Sequence, residues 1–330
     1  MKFFITFLLF ISLLDAAEDS WKQERFSFNL ENDADFKTDI GYTHGGRISL
    51  LFFREDSSES WLNIPFSRAQ DSSDFISFSY ANQMFTPYDL DEANLITDDR
   101  PYAGYAYLEV GLHQATKSSL NSLSLQVGMV GPSSGMEELQ IFFHDILDAR
   151  HSAGWEHQLK DEFAFNLNYT HKWYLEASDF YGIESVLVPY ASAELGNISI
   201  KVSGGALCRV GFNIPKDYGM SSLDEASYSS IPIESKLISA PLNTWHAHLN
   251  LSAGTNLILG DIFLDGNSFK DSHSIEKKNY NAYIGAGLSL RYRKFSIDYQ
   301  HYYYTKEYEA RGKHKEYLGY GSLIFNYEFY

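Results

Sequence analysis

Apolar and polar residues alternate along most of the chain, and this period of two residues constrains the fold more than any other feature. Successive residues of a β-strand face opposite sides of a sheet, so each alternating stretch predicts a strand with one apolar and one polar face. Clear examples are Leu123–Met129, Phe163–Tyr169 and Trp245–Leu251. About twelve such stretches occur, and an even number of strands is typical of closed bacterial barrels.

The aromatic content favours a membrane barrel. Aromatic residues make up 16% of the chain, with 24 Tyr and 24 Phe, as expected for aromatic girdles at the two boundaries of a membrane. The polar faces of the strands also carry many small residues, which suits a barrel lumen. A soluble β-sandwich has a similar alternation and is the alternative fold. We predict an all-β fold, an antiparallel transmembrane β-barrel of about twelve strands.

The first residues have the composition of a secretory signal. Lys2 supplies a positive charge, Phe3–Leu14 is apolar, and Ala16 and Ala17 are small residues near a cleavage site. The apolar run is shorter than the ~20 residues that a membrane-spanning helix needs. We predict that residues 1–17 are a signal peptide and that residues 18–330 form a single barrel domain in the bacterial outer membrane.

Charge and cysteine content exclude other classes of protein. The net charge of −17 argues against a nucleic-acid partner. The single cysteine, Cys208, makes no internal disulfide, and we expect it to be a buried small apolar residue. Three segments predict long loops, which are usually extracellular in barrels, namely Asp56–Asp74, Ile214–Leu242 and Leu264–Glu276. Nothing in the sequence predicts an oligomeric state.

One segment, Gly135–Arg150, has a helical pattern instead of the alternation. Gln140 and His144 are four residues apart, so a helix places both on one face. A lone amphipathic helix in a β-protein needs a wall to pack against. We predict a short helix packed inside the lumen of the barrel, with these two side chains in a polar interior.

Three polar clusters lie at the ends of predicted strands: Glu31-Asn32-Asp33, Thr38 to Gly45, and Asp99 to Gly104. Strand parity predicts that Glu31, Asp33 and Thr43 face the lumen, and Asn32 has the opposite parity but can turn inward where its strand ends. A carboxylate, an amide, a hydroxyl and an imidazole together can hold a hard cation and polarise a water. Each residue alone also has an ordinary interpretation, as a turn, strand or structural residue.

The Asp99 cluster has two interpretations of its own. Arg100 next to Asp99 predicts an internal ion pair that braces the wall, and a contact with a substrate phosphate is the alternative.

Together these motifs resemble the outer-membrane lipid A 3′-O-deacylase family. The resemblance covers most of the mature chain and is strongest from Asn32 to Leu159. The matching motifs are Asn32-Asp33, Tyr42-Thr43-x-Gly45, Gln83 with Thr86-Pro87, Asp99 to Gly104, Gly131-Pro132, Gln140-x-x-x-His144 and Trp155-x-x-Gln158.

The resemblance implies a fold and an activity. Members are twelve-stranded barrels with a site between the wall and a helix, and they use Ca²⁺ to remove the 3′-linked acyloxyacyl group of lipid A in the outer leaflet. By this resemblance His144 is the general base that activates water and Gln140 shapes the same face. Asn32 and Thr43 line the site, and Asp33 is the candidate Ca²⁺ ligand.

Two positions depart from the family pattern. Some members carry a functional Glu six residues after the histidine, where this chain has Arg150, and Asp148 is the nearest carboxylate. A Lys found in some members shortly after the proline that matches Pro87 is absent from Tyr88–Glu92.

Two other functions fit parts of the pattern. An outer-membrane phospholipase is one, although many such enzymes use a Ser nucleophile and the sequence has no comparable Ser-His-acid arrangement. A non-catalytic pore or adhesin is the other, and a helix that plugs the lumen disfavours a wide channel.

Overall fold

The computed structural model describes residues 21–33, 41–54, 72–223, 230–233, 244–309 and 317–329. The predicted signal peptide and most of the predicted loop Asp56–Asp74 lie outside these residues.

Thirteen strand segments form one antiparallel sheet. They are β1 (Trp21–Asn32), β2 (Gly41–Arg54), β3 (Ser73–Thr86), β4 (Ala103–Ala115), β5 (Ser119–Val130), β6 (Glu162–Trp173), β7 (Leu175–Phe180), β8 (Ile183–Gly196), β9 (Ser199–Phe212), β10 (Trp245–Asp261), β11 (Tyr280–Tyr292), β12 (Phe295–Thr305) and β13 (Tyr317–Glu328). The sheet closes on itself, because β1 pairs with β13 and β6 pairs with β8.

The closed sheet is a barrel of twelve strands, because β6 and β7 are one strand interrupted at Tyr174. Both pair with β8 in a single register, in which Lys172 lies opposite Tyr190 and Leu175 lies opposite Leu187. The prediction of an all-β, twelve-stranded antiparallel barrel is therefore confirmed. The one sheet has no free edge, as spanning a membrane requires.

The alternation sorts side chains between lipid and lumen. In β6, Phe163 and Leu167 are exposed on the outside while Asn166 and Asn168 are buried inside. The prediction for Cys208 was wrong. It is half-buried, and directly opposite residues share a face, so its exposed partners Leu187 and Leu251 place it on the lipid side.

A segment between β9 and β10 fills the lumen, and we call its described residues, 213–223 and 230–233, the plug. Its buried apolar residues pack against inward-facing residues of the wall, and this cluster contains Ile214, Tyr218, Met220, Ile231, Ile233, Leu51, Phe75 and Leu120. The Tyr218 hydroxyl donates to the Thr116 carbonyl at one end of the barrel (2.7 Å), and the Leu223 amide donates to Glu31 near the other (2.9 Å). The plug thus runs along the barrel axis.

The plug corrects one prediction about loops. Ile214–Leu242 was expected on the extracellular side, but the β9–β10 connection lies at the same end as the β4–β5 turn, opposite the end where β1 finishes. Buried polar contacts hold it inside. Arg209 pairs with Asp217 (2.7 Å) and Lys172 donates to Ser221 (2.6 Å). The apolar residues of the plug are buried against the inner face of the wall, because the outer face of the wall contacts lipid.

Two helices lie at the opposite end, α1 (Met136–Leu147) and α2 (Ile262–Asp265), with short 3₁₀ turns at Pro132–Ser134 and Trp155–His157. In the described part of the chain, neither helix has the length and apolarity to cross a membrane. Helix α1 forms within the segment predicted to be helical.

The predicted position of α1 inside the lumen was wrong, because the helix packs on the outside of the wall. A Cβ added to Gly104 would lie 2.7 Å from the Cβ of Met136. Gly104 alternates with Tyr105, which lines the lumen, so Gly104 faces outward. The helix contacts β3 and β4 there. The plug already occupies the lumen, and the absence of a side chain at Gly104 lets the helix approach the wall.

The plug predicts a closed lumen, which a deletion would open. Phe212 pairs with Ala247, so a short Gly-Ser linker can replace residues 214–242 without separating β9 from β10. We expect this variant to conduct steadily in planar bilayers and the intact chain to conduct far less. Heat-dependent gel mobility checks that the barrel has folded. A folded variant that conducts no more than the intact chain would contradict this view of the lumen.

Candidate functional site

The outer wall turns polar beneath α1. The outward row of β3 runs through Ile76, Phe78 and Tyr80 and then reaches Asn82. Polar groups on a lipid-facing wall are costly unless they are covered or bonded. We call this surface the polar wall patch, and it consists of Asn32, Thr43, His44, Asn82 and Thr86.

A β-bulge in β2 turns Thr43 outward. The pairing with β3 shifts between Tyr42 and His44, so Thr43 is an extra residue. Tyr42 faces the lumen, where its hydroxyl donates to Glu31 (2.7 Å), and the Thr43 hydroxyl lies 2.6 Å from that of Thr86. The prediction that Thr43 faces the lumen was therefore wrong, because parity counting assumes a strand without a bulge. The lumen position of Glu31 was predicted correctly.

The structure brings Asn32, Asp33 and Thr43 together, as predicted. The Asn32 side-chain amide (3.0 Å) and the Asp33 backbone amide (3.3 Å) both donate to the Thr43 carbonyl. Asn32 does not turn inward, because it stays in the outer row opposite His44. The Asp33 side chain is buried just beyond the end of β1.

Helix α1 lies across this patch with one buried face, formed by Met136, Gln140 and His144. Met136 packs at Gly104 on β4, and the Phe143 ring lies 6.0 Å from the His44 ring on β2. Met136 and Phe143 are seven residues apart, which is about 10 Å along a helix. The distance between β4 and β2, two strand spacings, is about the same. The helix therefore crosses the strands along one row, and its last turn, which carries Phe143 and His144, lies over His44 on β2. His44 is paired with Asn32 on β1.

The imidazole of His144 is held in one tautomer. Its Nδ1 is hydrogen-bonded to the Arg150 carbonyl. A carbonyl only accepts, so Nδ1 carries the hydrogen and Nε2 carries the lone pair of the neutral ring. The backbone carbonyl of Arg150 thus orients the His144 ring. Some family members have a Glu at the position of Arg150. The Arg150 side chain is exposed and pairs with Asp91 (3.0 Å), and Asp148 is exposed at the end of the helix.

Gln140 joins the helix to the loop that follows it. Its Oε1 accepts hydrogen bonds from Ser152 Oγ and Trp155 Nε1, both at 2.7 Å. Trp155 is buried against Tyr102, with ring centroids 4.9 Å apart. Within the described residues, Gln140 Nε2 is buried without a hydrogen-bond partner. That amide group can donate to a ligand in the groove between helix and wall.

The Asp99 motif braces the loops at this end of the barrel. Asp99 accepts hydrogen bonds from the Tyr308 hydroxyl (2.5 Å) and the Tyr88 amide (2.7 Å). Burial, the largest effect, raises the pKa of Tyr308 well above its usual range. Arg100 pairs with Glu307 (3.3 Å) and lies over the Phe85 ring, so the predicted brace forms with Glu307 and not with the Asp99 carboxylate.

Sequence reasoning missed Asn82 and Ser152, and it gave no role to His44, although His44 lies in the Thr38 to Gly45 cluster. Asn82 had a detectable signal, because it breaks the apolar row of β3. Its Oδ1 is buried beside the His44 imidazole. His44 sits on the row that parity assigns to lipid, which is the same kind of signal. Ser152 lies in a loop with no such pattern.

The oxygen atoms of the patch suit a hard cation better than a transition metal. Among the described residues, no group of three or more His, Cys, Asp or Glu side chains is placed to hold a metal ion. The available set next to β1 is one carboxylate, Asp33, with the neutral amide oxygen of Asn32. Ca²⁺ binds such mixtures of carboxylate and amide oxygens.

Comparison with known proteins identifies one family. The model of the family described as "Outer membrane protein LpxR" matches residues 3–329. The solved structure "LpxR from Salmonella typhimurium" is similar with a TM-score of 0.73 at 15% identity, covering 92% of this chain and 100% of that one. No curated protein matches in sequence.

Two other solved barrels are much less similar. The β domain of the Bordetella autotransporter BrkA has a TM-score of 0.43 at 8% identity, covering 94% of this chain and 100% of that one. The translocator domain of the autotransporter NalP from Neisseria meningitidis has a TM-score of 0.42 at 8% identity, covering 96% and 92%.

The Gln140 contacts predict a local loss of stability on substitution. Gln140→Ala removes the acceptor of buried Trp155 Nε1, and an unsatisfied buried donor costs about 1–3 kcal/mol. Hydrogen exchange in residues 149–158 should accelerate roughly 5- to 150-fold, as followed by mass spectrometry. Glu138→Ala, on the exposed side of the same helix, should leave the exchange unchanged. Equal protection in both variants would show that Gln140 does not anchor the loop.

Proposed function

Because the chain belongs to the LpxR family of outer membrane proteins, we propose that it is a Ca²⁺-dependent lipid A deacylase. It hydrolyses the 3′-linked acyloxyacyl ester of lipid A, or of whole lipopolysaccharide, in the outer leaflet. One observation carries this proposal: a buried imidazole, held through its Nδ1 by the Arg150 carbonyl, lies on a helix that covers a polar patch on the lipid side of the barrel.

His144 acts as the general base. Nε2 takes a proton from a water as that water attacks the ester carbonyl, and the Arg150 carbonyl keeps Nδ1 protonated throughout. An imidazole is suited to this step because its ordinary pKa lies near neutrality. The group that orients the imidazole is the backbone carbonyl of residue 150. This carbonyl is present whatever the side chain, so it is retained although Arg150 stands where some family members have a Glu.

Gln140, Asn32 and Thr43 shape the groove around the ester. Gln140 Nε2 donates to the substrate from the helix, and its Oε1 holds the groove closed through Ser152 and Trp155. Asn32 and Thr43 form the floor of the groove on the wall. These contacts hold the reacting carbonyl in one orientation, which lowers the entropic cost of the attack.

Asp33 and the amide oxygen of Asn32 would hold Ca²⁺. The bound ion would supply positive charge where the carbonyl oxygen becomes negative. Access is from the membrane, since the groove opens on the outer wall and the plug fills the lumen behind it. That arrangement favours a lipid substrate over a solute that passes through a pore.

The first test replaces the base. General base catalysis contributes about 10²- to 10⁴-fold, so His144→Asn should slow release of the 3′ acyl group by that factor, as measured by mass spectrometry of lipid A. Arg150→Ala is the matched control and should keep activity within about twofold, because the imidazole is hydrogen-bonded to the backbone carbonyl of residue 150, whose exposed side chain pairs with Asp91. Release of fatty acid from phosphatidylethanolamine, with lipid A left intact, would favour a phospholipase instead.

The second test concerns the metal. Removing Ca²⁺ with EGTA should abolish deacylation, and Asp33→Asn should raise the Ca²⁺ concentration for half-maximal activity on the order of tenfold or more, since carboxylate ligands set the affinity of such sites. Calorimetric titration with Ca²⁺ gives the same shift without an activity assay. Asp91→Asn, an exposed carboxylate paired with Arg150, should leave both unchanged. Full activity in EGTA would exclude the metal.

A further inference from the structure

Helix α1 has three distinct faces. The buried face contains Met136, Gln140 and His144. At about 100° per residue, a second row centres about 90° away from it. We call this row the apolar flank, and it consists of Leu139, Phe143 and Ile146, with Phe142 at its outer edge and Leu147 at the end of the helix. Glu138 and Asp145 lie about 150° from the buried face on the other side.

The apolar flank is open to the surroundings of the barrel. Phe142 is 58% exposed, Phe143 40%, Ile146 62% and Leu147 72%. Four large apolar side chains in a row on a helix of twelve residues form a patch that water disfavours. By contrast, the exposed residues at Glu138 and Asp145 are charged. The helix therefore separates an apolar environment on one side from an aqueous one on the other.

The apolar flank is continuous with the lipid-facing wall. One row of the sheet passes from Asn82 beneath the helix through Ala106 and Met129 to Phe163 on β6. Phe163 is 57% exposed on the outer face of the barrel, where an outer-membrane protein meets acyl chains. The helix axis is therefore no more than one row of residues away from side chains that contact lipid.

We propose that α1 is an interfacial helix, with its apolar flank immersed in the acyl chains of the outer leaflet and its acidic side in water. The occupant of the flank is therefore the lipid layer and not another protein. A helix in this orientation places the groove with Gln140 and His144 at the boundary between head groups and acyl chains, where the ester bonds of membrane lipids lie. This inference depends on the outer-membrane location and not on the deacylase activity.

Spin-label accessibility in the whole protein tests the proposal. In a Cys208→Ala background, single cysteines at Phe143, Ile146 and Asp145 would carry a nitroxide, with Leu249→Cys as a lipid-facing reference. After reconstitution in phospholipid vesicles, the relaxation of each label by oxygen, which concentrates in lipid, is compared with its relaxation by a water-soluble nickel complex. Heat-dependent gel mobility confirms that each variant has folded.

The proposal expects a clear division between the two sides of the helix. Labels at 143 and 146 should resemble the reference at 249, with oxygen relaxation dominant, and the label at 145 should show the reverse. Nickel-dominated relaxation at both 143 and 146, in a folded barrel whose reference label reports lipid, would overturn the proposal. Because no substrate is used, this result is independent of whether the chain cleaves lipid A.

Discussion

A polar patch on the lipid side of a barrel wall has to be covered, and the arrangement of the helix end follows from that constraint. Unsatisfied polar groups are costly against hydrocarbon, yet Asn82 and His44 occupy rows that elsewhere carry apolar side chains. Helix α1 covers them, and Gly104 lets it lie close to the wall. The covered patch becomes a groove that is shielded from bulk water yet adjacent to lipid, which is a suitable place to cleave a lipid ester.

The two faces of the wall have separate tasks. Inside, the plug and a set of buried ion pairs, such as Arg209 with Asp217, pack the part of the lumen near the β4–β5 turn, and a cavity remains nearer the helix end. Outside, β2, β3 and β4 carry the groove. Tyr42 and Thr43 illustrate the division, since one donates to Glu31 in the lumen and the other bonds to Thr86 on the outer face. The lumen packing therefore fixes the strands that position the groove.

Alternation with period two predicted the barrel and its strand number, because lipid and lumen impose that period on every strand. It could not predict features that break the period locally. The bulge in β2 turned Thr43 to the outer face, where parity had predicted the lumen. The plug, which has no alternation, occupies the lumen position that was expected for α1. Gln140 and His144 were found because helical spacing and family resemblance both select them. The Arg150 contact was not predictable, because a backbone carbonyl leaves no trace in residue type.

The position of α1 on the outer wall is the central claim, and a disulfide tests it most directly. A Cβ at 104 would lie 2.7 Å from the Met136 Cβ, so a shift of about 1 Å gives disulfide geometry. In a Cys208→Ala background, Gly104→Cys with Met136→Cys should cross-link on oxidation in the folded barrel, and Tyr105→Cys with Met136→Cys should not. Cross-linking through lumen-facing residue 105, with none through 104, would place the helix inside the barrel and contradict this account.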